Sequence, residues 1–261
     1  MATFKHISSK NANYGDAEKY LTFAHDEFTM KPTLDADGRL VPREDYRIST
    51  LNCGEEDFAV ACMRSNLRYG KNQKREDVKS HHYIISFDPR DGPDNGLTVD
   101  KAQELGERFC REQFPGHQAI VCTRPDGHNQ SGNIHVHIVI NSLRIENVLL
   151  PYMDRPADTK AGYKHRCTDA AMEYFKSEVM ELCHEAGLYQ IDLLNGSANR
   201  VMRIISVPSW SRSSGCPAKP RSVDIRSGWH RLKSGWESLT VCLSAFMRTM
   251  WRGASQMKGS L

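Results

Sequence analysis

Residues 132–142, GNIHVHIVINS, alternate polar and branched apolar side chains, and this period-two pattern strongly constrains the fold. Because side chains alternate across a β-strand, His135 and His137 share one face and the Ile and Val residues share the other. The apolar face predicts burial. Two imidazoles roughly 7 Å apart could bind one cation if a third ligand came from a neighbouring strand or loop. Asn141 lies further along the same face, where its amide could hydrogen-bond a substrate or orient a ligand.

The rest of residues 1–195 predicts an α+β domain, an antiparallel sheet with helices packed on its faces. The polar loop RPDGHNQSG joins two apolar stretches and predicts a long hairpin. Thr98 and Thr168 are placed to cap helices, and Gly70 and Gly187 to end them. Predicted strands are 2–9, 80–89, 117–123 and 133–142, predicted helices are 13–27, 55–70, 97–114 and 167–188, and 34–45 is turn-rich.

Composition indicates a cytoplasmic globular protein. The chain is 39% hydrophobic, which is enough for a core. No apolar run approaches the roughly 18 residues needed to span a bilayer, and the first residues lack the apolar region of a signal peptide. The eight cysteines contain no C-x-x-C pair, so we expect reduced thiols and no disulfide or zinc framework.

Residues 196–261 differ in kind from the first 195. Residues 201–261 contain ten basic residues against two acidic ones, twelve serines and all four tryptophans. We expect this tail to be largely disordered, because Pro, Ser and Gly leave little apolar surface to bury. Two interpretations stay open: out-of-frame translation beyond the domain, or a basic arm that grips phosphates and stacks on bases.

A loop containing an aspartate, followed by H-x-H-x-x-x-N on a strand, resembles the metal motif of relaxases. These nucleases nick plasmid or transposon DNA during mobilisation and conjugation. The order of strands and helices over residues 1–195 is similar to the MobA/VirD2-like relaxase domain of Gram-positive mobile elements. The resemblance implies single-stranded DNA at an origin of transfer as substrate, accessory mobilisation proteins as partners, and Mg²⁺ or Mn²⁺ as cofactor. Histidine ligation by itself suits zinc, manganese or cobalt.

One departure from the family pattern lies at the metal site. The family has a histidine two residues before the aspartate, whereas this chain has Arg124 before Asp126. An arginine has no lone pair to give a metal. Either His128 completes the set with His135 and His137, or the site is weakened. Asp126 and His82, the latter on a neighbouring predicted strand, are expected to support the ligands from behind.

The resemblance places the nucleophile at Tyr20 in AEKYLTF, which would form a covalent phosphotyrosine. Tyr20 also falls on the apolar stripe of its helix and could belong to the core; Tyr14 and then Tyr46 are the alternatives. Asn141 is expected to assist at the site.

DNA contacts are expected from a basic loop and from one arginine near the histidines, because phosphate neutralisation supplies most of the affinity for single strands. These residues are Lys71, Lys74, Arg75 and Arg124. A cupin would need a glutamate near Asn141 and an all-β barrel, and a two-histidine phosphoesterase would need a second H-x-[ST] motif. The remaining alternative is a catalytically impaired, relaxase-derived DNA-binding protein.

Overall fold

The part of the chain that the structure describes folds into an α+β domain on a five-stranded antiparallel sheet, and the sequence predicts this fold class. The computed structural model describes residues 3–26, 29, 31–125, 132–190 and 192–194. The strands are β1 (Thr3–Ser9), β2 (Arg47–Leu51), β3 (Ser80–Ser86), β4 (Ala119–Arg124) and β5 (His135–Asn141). Their order in the sheet is β1-β3-β5-β4-β2, so β5 is central and pairs with β3 on one side and β4 on the other.

Five α-helices lie within the described residues, and the short third one was not predicted from the sequence. They are α1 (Gly15–Thr22), α2 (Phe58–Tyr69), α3 (Asp91–Asn95), α4 (Val99–Gln113) and α5 (Asp169–Glu185). The Thr98 hydroxyl accepts from the backbone N–H of Lys101, and that of Thr168 accepts from the N–H of Ala171. Gly70 ends α2 with φ at 61°, a left-handed conformation that favours glycine.

The structure differs from the prediction at two N-terminal elements. The helix expected over 13–27 ends at Thr22, because Phe23 is extended and forms a β-bridge with Pro42. The edge strand β2 follows the turn-rich segment and was not predicted. Its side chains are exposed or half-buried, so it lacks the apolar run that indicates a strand.

The apolar face of β5, here called the core face, packs on α4 and α5. Val136, Ile138 and Ile140 are fully buried there. Gly106 of α4 lies so close to β5 that an added Cβ would stand 2.3 Å from Cγ1 of Val136. The absence of a side chain at this helix position therefore sets the spacing between helix and sheet.

Replacing Gly106 with Ala should destabilise the domain by about 1–3 kcal/mol, because overpacking outweighs the better helix propensity of alanine. Urea unfolding measures the change. Glu104→Ala, at an exposed position of the same helix, is the control and should change little. A G106A variant as stable as the parent would contradict the close approach.

The opposite face of β5, here called the site face, is also partly covered. Val139 packs with Leu21 of α1 and with Phe58 and Cys62 of α2. His137 is only 3% exposed. The sequence predicted burial of the Ile and Val face alone, since the pattern of one strand cannot show which helices cover the other face.

Six cysteines fall within the described residues, and all six are free thiols, as expected. Cys216 and Cys242 lie outside the described residues, as does the whole of the tail from 195 onward. No helix in the described part of the chain is both long and apolar enough to cross a bilayer.

Candidate active site

Three adjacent strands place polar side chains together on the site face. Ile84 of β3 lies opposite His137, which puts His82 diagonally across from His137. Arg124 of β4 lies opposite His135. Because side chains alternate along each strand, these registers direct Arg124 and the three histidines to one side of the sheet.

A chain of hydrogen bonds joins Arg124, His137 and His82. Arg124 donates from Nη2 to Nε2 of His137 over 2.8 Å, and Nδ1 of His137 lies 2.9 Å from Nε2 of His82. A guanidinium can only donate, so Nε2 of His137 carries the lone pair and the neutral ring is protonated on Nδ1. That proton is donated to His82, whose own proton is therefore on Nδ1. These proton positions follow from the bonding pattern.

Burial keeps both imidazoles uncharged. It lowers the pKa of His137 well below its usual value, and the charge of Arg124 lowers it further. Burial also lowers the pKa of His82 to about 3, again with a contribution from Arg124. The two rings are neutral at pH 7, and the guanidinium supplies the positive charge beside them.

His135 lies at the start of β5 beside the same group. Its Nδ1 is 2.7 Å from Oγ of Ser86 on β3, and its ring centroid is 6.3 Å from that of His137. The two imidazoles therefore project from one face of the strand, as the period-two pattern predicts.

The described residues do not fit a divalent metal as they stand. Ligation by neutral His137 needs the lone pair on Nε2, and that lone pair accepts the hydrogen bond from Arg124. No group of three His, Cys, Asp or Glu side chains in the described part of the chain is arranged to hold an ion. Asp126 and His128 lie outside the described residues.

Helix α1 brings Tyr20 to these side chains. Leu21 is buried, whereas Tyr20 is half-buried. The Tyr20 ring centroid lies 6.3 Å from that of His137 and 6.4 Å from that of His82. The Arg124 Cζ atom lies 5.4 Å from the Tyr20 centroid. Phenol, guanidinium and two imidazoles thus form one group, here called the Tyr20 cluster.

Tyr14, the first alternative nucleophile, is buried in the core. The Tyr14 hydroxyl donates to the Lys79 carbonyl oxygen over 3.1 Å and accepts from Nδ2 of Asn66 over 2.7 Å. Burial raises the pKa of Tyr14 far above its usual value. An enclosed and hydrogen-bonded phenol is poorly placed to meet DNA, so the geometry favours Tyr20 over Tyr14. Tyr46 and Tyr20 are both partly buried against the same core, and what distinguishes Tyr20 is its place beside Arg124, His82 and His137.

His25 was missed from the sequence. Its ring centroid lies 5.2 Å from that of Tyr20, and its Nδ1 lies 2.9 Å from the Phe23 carbonyl oxygen. A carbonyl oxygen can only accept, so Nδ1 is protonated and Nε2 of the neutral ring keeps a lone pair. Burial lowers the pKa of His25. The predicted helix over 13–27 included His25. The signal in the sequence that could have indicated a site role for His25 was its position five residues after Tyr20.

Asn141 is not brought to the Tyr20 cluster. It lies four residues beyond His137, roughly 13 Å along the strand. Its side chain is fully buried. Nδ2 donates to Oε1 of Gln118 over 2.9 Å, and Oδ1 accepts from the backbone N–H of Leu143 over 3.3 Å. These bonds tie the end of β5 to its neighbours.

The basic loop after α2 lies at that same end of β5. Asn72 donates from Nδ2 to Oγ of Ser142 over 3.1 Å. Lys74 and Arg75 are exposed, and Lys71 holds its Nζ 5.9 Å from the Tyr163 ring centroid. The loop therefore offers positive charge about one strand length from the Tyr20 cluster, while Arg124 lies within it.

Comparison with known proteins matches a large part of this chain to one family. The family model for the nuclease domain of MobA/VirD2-like relaxases matches residues 41–188, which is more than half of the chain. The match includes β2 to β5 and the residues at 82, 124, 135 and 137. Tyr20 and His25 precede the matched residues.

Two Staphylococcus aureus proteins, both named Protein rlx, are similar to this chain. One is 27% identical over 140 residues, covering 54% of this chain and 36% of the relative. The other is 34% identical over 99 residues, covering 38% of this chain and 26% of the relative. The chain therefore spans well under half the length of these curated relatives.

Proposed function

The chain belongs to the MobA/VirD2-like relaxase family, and we propose that its nuclease domain nicks single-stranded DNA through Tyr20. Family membership implies a DNA relaxase function. The substrate we propose is single-stranded DNA at the origin of transfer of a plasmid or transposon. Accessory mobilisation proteins are proposed partners in the same process.

The observation that carries this proposal is the shared position of the Tyr20 phenol and the Arg124 guanidinium. The Arg124 Cζ atom lies 5.4 Å from the Tyr20 ring centroid, next to two neutral imidazoles. A phosphodiester bound by the guanidinium would bring its phosphorus near the phenol. Holding both reactants in one place, beside a positive charge, contributes to phosphoryl transfer through positioning and electrostatic stabilisation.

In the proposed step, the Tyr20 oxygen attacks phosphorus and forms an O–P bond while the bond from phosphorus to the 3′ oxygen breaks. The phenol proton passes to a base, and the leaving 3′ oxygen takes a proton from solvent. The 5′ phosphate stays on Tyr20 as a diester. Because no water attacks phosphorus, attack by a 3′ hydroxyl can reverse the step and reseal DNA.

We propose His25 as the base that accepts the phenol proton. Its protonated Nδ1 is bonded to a carbonyl, so the Nε2 lone pair is the available acceptor. Among the imidazoles whose rings contact Tyr20 in the described chain, His25 has the shortest centroid distance. Burial lowers its pKa, so it is uncharged at neutral pH.

The His25→Gln variant should form the DNA adduct about 100-fold more slowly, since general bases contribute on this scale. In the parent, the rate should fall as the pH drops through the lowered pKa of His25, and this acid limb should disappear in the variant. Rates of adduct formation between pH 5 and 8 provide the test. His184→Gln, on the exposed side of α5, is the control, and equal effects in both variants would exclude His25.

DNA outside the Tyr20 cluster is proposed to contact Lys71, Lys74 and Arg75. Exposed basic side chains bind a phosphate backbone through charge, with little sequence preference. Their position at the far end of β5 suits a single DNA strand that runs over several nucleotides from the Tyr20 cluster to this loop. Binding through this loop should weaken strongly with added salt.

Relaxases of this family are generally metal-dependent. The resemblance implies a Mg²⁺ or Mn²⁺ ion held by His135, His137 and His128. In this chain such an ion would require Arg124 to leave Nε2 of His137. A second candidate function is DNA binding without nicking, which the bond between Arg124 and His137 favours because it closes a ligand position.

Incubation with a library of single-stranded oligonucleotides, each carrying a randomised central segment, tests the nicking proposal. We expect a protein–DNA adduct that survives SDS and is destroyed by protease. Sequencing the attached DNA would identify the recognised origin. Binding of the library without any adduct, with or without Mn²⁺, would instead support the non-nicking function.

A further inference from the structure

We infer that Arg124 itself holds the DNA phosphodiester, so that the site engages its substrate without a divalent ion. The guanidinium donates to the one lone pair of His137 that an ion would need. The inference rests on the proposed function for its substrate, a phosphodiester of single-stranded DNA. What it adds is the identity of the cation that meets the phosphate.

The structure fixes the Arg124 guanidinium in place. Arg124 is only 7% exposed and lies on β4, next to the central strand β5. Nε2 of His137 anchors one nitrogen, and the Tyr20 ring lies beside the guanidinium carbon. An arginine held in this way loses little conformational freedom on binding a ligand.

The chemistry of a guanidinium suits a phosphodiester. It stays charged at all relevant pH values and carries five donors in a planar fork, so it can bond an imidazole and an anion together. Two non-bridging phosphate oxygens match the spacing of that fork. In this arrangement His137 serves as the acceptor that aims the guanidinium, and His82 holds His137 in the required tautomer.

A second arginine adds to the positive charge. The backbone N–H of Arg43 donates to the Thr22 carbonyl oxygen over 2.9 Å, which places Arg43 at the end of α1. Thr22 is two residues beyond Tyr20, so Arg43 and Arg124 place two permanent cations near the Tyr20 cluster. Two permanent cations attract an anion and repel a divalent cation.

Two measurements on the full chain test the inference. The first is fluorescence anisotropy with a labelled 20-nucleotide thymidine homopolymer, in EDTA and in Mn²⁺, at fixed ionic strength. The second is Mn²⁺ binding without DNA, followed by the electron paramagnetic resonance signal of the free ion. The variants are R124Q, R124K and R124H, with Arg111→Gln on α4 as the control for losing one exposed positive charge.

For the parent, we expect equal oligonucleotide affinity in EDTA and in Mn²⁺, within about twofold, and no stoichiometric Mn²⁺ binding. R124Q should lose at least tenfold in both conditions, and R124K should lose less because it keeps the charge but not the fork. R124H should bind weakly in EDTA and recover affinity with Mn²⁺, since it supplies a lone pair in place of a donor. Arg111→Gln should stay within about twofold of the parent.

The parent alone can overturn the inference, even if a variant fails to fold. Stoichiometric Mn²⁺ binding by the parent, or a tenfold loss of affinity in EDTA, would show that an ion rather than Arg124 meets the phosphate. A folded R124Q that binds like the parent would do the same. Adduct formation that requires Mn²⁺ would contradict this inference and leave the nicking function intact. Metal-free, Arg124-dependent binding without an adduct would support this inference and contradict the nicking function.

Discussion

Replacing Tyr20 with Phe is expected to reduce covalent DNA adduct formation to the detection limit and to leave the stability of the domain unchanged. The variant keeps the aromatic ring beside Arg124 and loses only the hydroxyl that would attack phosphorus. Oligonucleotide affinity should change less than about threefold, because the guanidinium and the basic loop remain. The readouts are the gel-resolved adduct, anisotropy and the melting temperature.

Tyr14→Phe is the matched control and should behave in the opposite way. Removing the Tyr14 hydroxyl leaves Nδ2 of Asn66 without this buried acceptor, which costs about 1–3 kcal/mol of stability. The Lys79 carbonyl loses one of two bonds and keeps the one from the backbone N–H of Ser142. The adduct should still form in the folded fraction. An adduct that persists in Tyr20→Phe and vanishes in a folded Tyr14→Phe protein would transfer the nucleophile to Tyr14.

The free energy of unfolding should fall more steeply with decreasing pH than it does in most proteins, because three imidazoles are buried on the core face. The His165 ring lies between those of His81 and His117, with centroid distances of 4.8 and 5.4 Å. Nε2 of His165 lies 2.7 Å from the Tyr83 hydroxyl oxygen. Also facing this group are His6, which bonds to His81, and the charged side chains of Arg144 and Lys164.

Burial lowers the pKa of His81 and of His117 to about 3, and it lowers that of His165 well below its usual value. Repulsion from neighbouring positive charges acts in the same direction. The folded state therefore binds fewer protons than the unfolded chain, whose imidazoles titrate near pH 6.5. Stability is fully present above that pH and is lost as the pH falls below it.

Each such imidazole contributes up to about 1.4 kcal/mol of lost stability per pH unit, so the three on the core face contribute about 4 kcal/mol per unit. His82 and His137, buried on the site face with lowered pKa values, add about 3 kcal/mol per unit in the same direction. Set against a typical total of about 5–15 kcal/mol, this should unfold the domain between about pH 6 and 4. Urea titrations at pH 7.5, 6.5 and 5.5 measure the slope, and His165→Gln should reduce it by about one proton. A free energy of unfolding that is flat over this range would contradict the burial of these rings.

The sequence predicted those parts of the site that depend on the alternation of side chains along one strand. The alternation in GNIHVHIVINS placed His135 and His137 on one face, and the polar loop before it indicated the hairpin of β4 and β5. It could not give the register between strands. That register sets His82 beside His137 and brings Arg124 to the same face. The family resemblance placed Arg124 near the histidines, but the sequence did not predict its hydrogen bond to His137.

Positions that depend on where the chain turns were also beyond sequence reasoning. His25 meets Tyr20 because α1 stops at Thr22 and the next residues are extended, whereas helical periodicity continued past that point. Asn141 shares a strand face with His137, and the sequence therefore grouped them. The length of β5 separates them, and buried hydrogen bonds to Gln118 and Leu143 engage the Asn141 amide instead.

The most direct test of the central claim is to locate the nucleotide on the protein. The adduct from the randomised library is digested with nuclease and trypsin and then sequenced by tandem mass spectrometry. Trypsin cuts after Lys10 and Lys19, so Tyr14 and Tyr20 fall on different peptides. We predict a phosphonucleotide mass on Tyr20. The same mass on Tyr14 or on any other residue, or no adduct from folded protein that binds the library, would contradict the claim that Tyr20 is the nucleophile of a DNA-nicking domain.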